Sequence, residues 1–221
     1  GLLADLAAQL RAKGVGAVTA TADLYAPDAA AEIMAEVGGR EIGLFIANAG
    51  ADTNSSLFLD NDLAKWEQLI NLNILTTMRL THLVGPGMRA RGRGGMILVG
   101  SGSCYGGLYG MGVYCGVKGF LLNFGEGLWA EMQPHGVDVL NLILGRTNTP
   151  AHQRISESNG RPFDTSGMAS SADVARIGLE QLPHGPVYNW GQSNDVAGYA
   201  TNSPDDRRAR ILKIKEMSGA Y

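Results

Sequence analysis

The sequence predicts a doubly wound α/β fold, a three-layer sandwich in which a mainly parallel sheet lies between helices. Three short, largely apolar runs carry that expectation: 43–47 (GLFIA), 95–99 (GMILV) and 137–144 (VDVLNLIL). Runs of this kind suit strands buried on both faces, whereas a half-exposed strand alternates apolar with polar residues. The stretches between them are long enough for helices, so strand and helix alternate along the chain. There is no internal repeat and no linker-like block, so residues 1–221 are expected to form one domain with a substantial core.

The elements follow in order. Segment 2–13 sets Leu3, Leu6, Ala7 and Leu10 on one helical face, and Gly14 is a plausible stop. Residues 16–24 (GAVTATADL) are expected as a short strand. Pro27 should open a helix through Val37, because the first helical turn tolerates its missing N–H. After strand 43–47 and a polar loop, 63–88 reads as one long helix. Strand 95–99 leads into a glycine-rich stretch, 100–112, and then a helix at 113–132. Pro134 and Gly136 separate that helix from strand 137–144. A looser region, 145–170, precedes a helix at 171–182, a strand at 187–190 and a charged tail helix from about 204.

Composition narrows the function classes. Hydrophobic residues at 45% and charged residues at 18% describe a globular chain rather than a disordered one. A net charge of -3 and a pI near 5.8 offer no electrostatic reason for nucleic acid or an anionic membrane as partner. Arg89, Arg91 and Arg93 stand among glycines and read as a solvated helix end. No apolar run approaches the roughly 18–20 residues that cross a bilayer, and a signal-peptide order is not evident. Two cysteines, Cys104 and Cys115, are too few for a disulfide framework and suit a reducing, cytoplasmic setting. The histidines His82, His135, His152 and His184 have no metal-ligand spacing, so no metal is expected.

Ligands on parallel sheets sit beyond the carboxyl ends of the strands, which directs attention to the residues after 47, 99 and 144. Tyr114 and Lys118 lie four apart near a helix start and share a face. A phenol exchanges protons poorly at neutral pH, and a cation one turn away is expected to stabilise its anion. Ser101 stands 13 residues earlier, just past strand 95–99, where its hydroxyl can hold a substrate oxygen beside the tyrosine. Asn48, Ala49 and Gly50 end the neighbouring strand, and glycine there permits close approach to a flat ligand. Asn73 lies on the long helix expected beside these strands, with Asn71 as its rival. Ser103 is the rival to Ser101. Tyr105 and Tyr109 lack a lysine four residues on and read as loop or substrate-pocket residues, as does Met111. Cys115 reads as packing.

Taken together, these motifs resemble the short-chain dehydrogenase/reductase family over about residues 2–190. The resemblance rests on Asp23-Leu24, on ANAG at 47–50 for the family's NNAG, on Asn73, Ser101 and the YxxxK of Tyr114 and Lys118, and on Gly145 to Thr149 (GRTNT). It implies a Rossmann-like fold and hydride transfer between NAD or NADP and a secondary alcohol or ketone, without metal. It assigns Tyr114 as general acid/base, Lys118 to its pKa and the nicotinamide ribose, Ser101 to the substrate oxygen and Asn73 to a water in the proton relay. Asp23 and Leu24 would meet the adenine, Asn48, Ala49 and Gly50 the cofactor floor, and Gly145, Thr147 and Thr149 the nicotinamide amide and phosphates. A homodimer or homotetramer built on helices 63–88 and 113–132 is also implied. Apolar residues of the loops over the substrate (Leu108, Met111, Phe163, Met168) point to a hydrophobic substrate.

The sequence also departs from that pattern. The family's first β-α-β segment, with its TGxxxGxG phosphate loop, has no counterpart before residue 2, so a segment upstream of Gly1 is expected to be missing. The GxxxGxG at Gly106, Gly110 and Gly112 follows Tyr105 and leads into the Tyr114 helix, so it reads as substrate loop. Gly100 stands where serine is common, Ala47 for an asparagine and Leu144 for a proline. Three alternatives remain beside the dehydrogenase reading: a non-catalytic scaffold of the same fold, an enoyl reductase and a sugar epimerase.

Overall fold

A computed structural model of the chain describes residues 1–52, 54, 56–158, 160, 162–190, 212, 213 and 216. Strand β3 (Val137–Leu144) is the axis of the molecule, because its alternate residues feed two separate cores. Val137 and Val139 point to one face and join Met96, Val84, Met88 and Met132. Leu140 and Leu142 point to the other and join Ile97 and Val174. Both faces are covered, so the strand sequence is apolar throughout rather than alternating.

The remaining elements fall into place around it: α1 (Leu2–Ala12), α2 (Ala29–Val37), β1 (Leu44–Ala47), α3 (Leu63–Ile70), α4 (Thr76–Arg91), β2 (Gly94–Val99), α5 (Gly112–Met132), β4 (Thr147–Asn148), α6 (Pro150–Ser158), β5 (Ala169–Ser170), α7 (Ser171–Gln181) and β6 (Val187–Trp190). The main sheet has the order β1-β2-β3-β6, and every pairing is parallel. Helices α4 and α5 supply Val84, Met88 and Met132 to one core, and α7 supplies Val174 to the other. The result is the expected Rossmann-like three-layer sandwich. Helix α5 comes close to β3 at Gly125, where a Cβ would collide with the buried amide of Asn141.

Several expectations are corrected. Residues 16–24 form no strand; they run as extended and turn backbone outside the sheet. A strand exists only through ladder partners, and among the described residues the outer edge of β1 carries none. Helix α2 begins at Ala29, with Pro27 in the preceding turn and Asp28 at the N-cap. The long helix 63–88 is divided by a π-helical stretch at Asn71–Leu75 and runs on to Arg91. The loose region 145–170 contains α6 and the β4–β5 pair. The expected tail helix from about 204 lies outside the described residues apart from three positions. Among the described residues, no helix is long and apolar enough to cross a membrane.

Candidate active site

The site lies beyond the carboxyl ends of β1, β2 and β3. Strand β2 ends at Val99, and Ser101 then caps a short turn at Gly102–Tyr105 by accepting a hydrogen bond from the Ser103 N–H at 3.3 Å. Helix α5 begins after the glycine-rich loop and presents Tyr114 and Lys118 one turn apart. The Ser101 hydroxyl stands near enough to the Tyr114 phenol to stabilise its anion, while donating to the Ser103 Oγ at 3.3 Å. The Lys118 Nζ lies 5.7 Å from the centroid of the Tyr114 ring and donates to the carbonyl of Val99 at 3.1 Å. Three of the four expected catalytic side chains therefore converge where β2 ends.

Asn73 joins them from the π-helical stretch. Its side chain is buried and donates to the carbonyls of Leu69 (3.0 Å) and Ala51 (3.3 Å), while its Oδ1 is buried without a partner. A wide turn of this kind redirects a side chain out of the ordinary helical ladder, and such turns are frequent at functional sites. Gly50 completes the cluster. A Cβ placed there would stand 2.6 Å from Asn73 Oδ1 and 3.3 Å from Lys118 Nζ. An orphaned acceptor and an ammonium thus pack against the bare backbone of Gly50, at distances that a side chain there would forbid. That pair of polar groups suits a partner with hydroxyls, as the ribose of a nicotinamide nucleotide has.

The electrostatics depart from the expectation that lysine acidifies the phenol. Burial pushes the Tyr114 phenol above its ordinary value, the bond to Ser101 pulls it back, and the negative charge of Asp52 adds to the upward push. Lys118 is almost fully buried, which brings its ammonium down to about 8. Desolvation penalises both charged forms and is the largest cause for each, and neither shift draws on the other group.

The remaining expected residues sit around this centre. Asn48, Ala49 and Gly50 are exposed at the end of β1. Asp23 accepts from the Tyr25 N–H in its own turn (3.0 Å), and the Leu24 carbonyl accepts from the Thr76 hydroxyl (3.1 Å), three residues after Asn73. Gly145 donates to the Trp190 carbonyl, joining the end of β3 to β6. Thr147 and Thr149 are engaged by local backbone: Thr147 donates to the Gly145 carbonyl (3.4 Å), and Thr149 accepts from the His152 N–H (3.1 Å). These bonds are local and involve none of the four catalytic candidates. Gly106, Gly107 and Gly110 lie in the loop between Tyr105 and α5, and Gly112 is the first residue of that helix. Among the described residues, no group of three or more His, Cys, Asp or Glu is placed to hold a metal ion. Sequence reasoning missed the π-helical turn, the charge of Asp52 near Tyr114 and the bond from the Tyr105 hydroxyl to Asn189 Oδ1 at 2.7 Å. Each arises from contacts that no spacing reveals.

Comparison with known proteins agrees with this geometry. The profile of the family described as short chain dehydrogenase matches residues 2–160. The short-chain reductase protein NovJ of Streptomyces niveus is 34% identical over 77% of this chain and 64% of its own. A structure of a 7β-hydroxysteroid dehydrogenase superposes with a TM-score of 0.83 at 25% identity, covering 96% of this chain and 82% of that one. The fold is shared with a short-chain dehydrogenase from Sphingobium yanoikuyae in complex with NADPH, at a TM-score of 0.74 and 24% identity over 99% and 82% of the two chains. The chain spans about half to two thirds of the length of the curated relatives it matches.

Proposed function

The chain belongs to the short-chain dehydrogenase/reductase family, and on that premise we propose that it interconverts a secondary alcohol and a ketone with NAD or NADP, using Tyr114 as the general acid/base. The observation that carries this reading is the placement of the Lys118 ammonium 5.7 Å from the Tyr114 ring, with the Ser101 hydroxyl beside the same phenol where β2 ends.

The nicotinamide supplies or accepts the hydride at its C4 when bound. In the reducing direction, the carbonyl carbon would gain a hydride from the bound cofactor, and the electron pair of the C=O π bond would move to the oxygen. The Tyr114 hydroxyl gives its proton to that oxygen, while Ser101 donates to the same oxygen and fixes it. Lys118 would hold the ribose hydroxyls, and Asn73 Oδ1 would accept from a water that returns a proton to Tyr114. A phenol raised by burial stays protonated at neutral pH, which favours the role of acid and hence ketone reduction. Asp23, Leu24, Asn48 and Ala49 would line the nucleotide, with Gly145, Thr147 and Thr149 closing over it.

A hydrophobic substrate is supported by Leu108, Met111, Phe163 and Met168 in the surrounding loops, and a steroid ketone is the class that the 7β-hydroxysteroid relative suggests. We infer one domain, located in the cytoplasm. Homodimer or homotetramer contacts would be made through α3–α4 and α5, where Met78, Leu83 and Phe120 are exposed. The deciding experiment incubates the protein with NADH or NADPH and either a 7-oxosteroid or cyclohexanone, and follows nicotinamide absorbance. Ketone-dependent oxidation of the cofactor is expected. Cofactor binding without turnover of either ketone would count against the reaction.

A further inference from the structure

We propose that Tyr105 is a positioning residue, which holds the Ser101 hydroxyl in its productive place by anchoring the turn 102–105 to strand β6 through Asn189. This deepens the proposed reaction and rests on it. The turn is a single short 3-10 helix, a form whose internal hydrogen bonds are few and poorly aligned. Its start is held by β2, where the Gly100 N–H donates to the Leu142 carbonyl at 2.8 Å. Its far end leads into a loop containing Gly106, Gly107 and Gly110, residues that restrain a backbone least. At that far end the Tyr105 hydroxyl donates to Asn189 Oδ1 at 2.7 Å, across 84 residues of sequence.

Asn189 is itself fixed. It lies in β6, paired with Ile143 of β3, and the next residue, Trp190, accepts from the Gly145 N–H. The far end of the turn is thereby tied to the rigid sheet. Within the turn, three bonds define Ser101: its Oγ accepts from the Ser103 N–H and donates to the Ser103 Oγ, both at 3.3 Å, and its carbonyl accepts from the Cys104 N–H at 2.9 Å. A turn released at Tyr105 loosens all three, and the Ser101 hydroxyl loses its place beside Tyr114. Small misplacements of a catalytic group cost large factors in rate.

The test compares Tyr105→Phe, Asn189→Leu, Ser101→Ala and the double variant Ser101→Ala/Tyr105→Phe with the parent chain, using NADPH or NADH and whichever of the 7-oxosteroid and cyclohexanone turns over. Tyr105→Phe and Asn189→Leu should each lower kcat about tenfold, the size expected for one lost hydrogen bond, with KM and cofactor affinity within about twofold. In the Ser101→Ala background, Tyr105→Phe should add almost nothing, because the residue acts through Ser101. Hydrogen exchange at the Ser103 and Cys104 amides should accelerate about tenfold in Tyr105→Phe. Equal rate losses in both backgrounds, or unchanged exchange at these two amides, would overturn the assignment. An undiminished rate in Ser101→Ala would instead refute the proposed reaction, while the exchange result still decides the role of Tyr105.

Discussion

At the scale of single residues, the chemistry is set by desolvation more than by charge pairing. Tyr114 is expected to lose turnover when its hydroxyl is removed, while nucleotide affinity stays. Tyr114→Phe should lower kcat by about 10²–10⁴, the contribution of general acid–base catalysis, with cofactor affinity unchanged by fluorescence titration. Comparable turnover in that variant would refute the acid/base role. Lys118 leaves a second signature, because its folded value of about 8 lies below the ordinary 10.5. Between those pH values the unfolded chain holds more protons than the folded chain, so stability rises with pH through that window. Below about pH 8 both states are protonated and the penalty of the buried ammonium is fully present. Lys118 alone should contribute a gain of about 2–3 kcal/mol from pH 7 to pH 10, given roughly 1.4 kcal/mol per pKa unit. Cys104 opposes it above pH 9, because burial pushes its thiol from 9.0 up to about 12 and the folded chain then holds the extra proton. The Lys118 contribution is read in urea denaturation as the parent's stability minus that of Lys118→Met, a difference that should rise by that amount from pH 7 to pH 10; a difference independent of pH would show that Lys118 is not its source. The sequence showed which side chains meet, since Ser101, Tyr114 and Lys118 are fixed by strand end and helical spacing. It could not show that burial raises the phenol, because that depends on everything packed around it.

At the scale of elements, close approach decides the geometry. Asn73, turned inward from the π-helical stretch Asn71–Leu75, packs its Oδ1 against the bare backbone of Gly50. Gly50→Ala should push Asn73 Oδ1 away and crowd Lys118 Nζ, weakening nucleotide binding about tenfold while the melting temperature stays within a few degrees. Binding at the parent's strength would mean this close approach has no part in placing the two groups for the ribose. Gly125 performs a structural version of the same task, seating α5 against Asn141 of β3. Gly125→Val should cost about 1–3 kcal/mol in urea denaturation, as overpacking commonly does, and a neutral result would show that α5 can shift freely. The apolar strands and the helix of Tyr114 were legible, because their period and length leave little choice. The π-helical turn was not: NLNIL reads as ordinary helix, and only the contacts of Asn73 favour the wider turn.

At the scale of the whole molecule, the alternation of apolar runs with helices pointed to β1, β2, β3 and β6 and to their parallel pairing, though not to their order in the sheet, and it directed attention to their carboxyl ends, where the cluster lies. The segment 16–24 failed for a reason equally physical. Its Val18 and alternating threonines give it strand propensity, but propensity without a ladder partner does not make a strand.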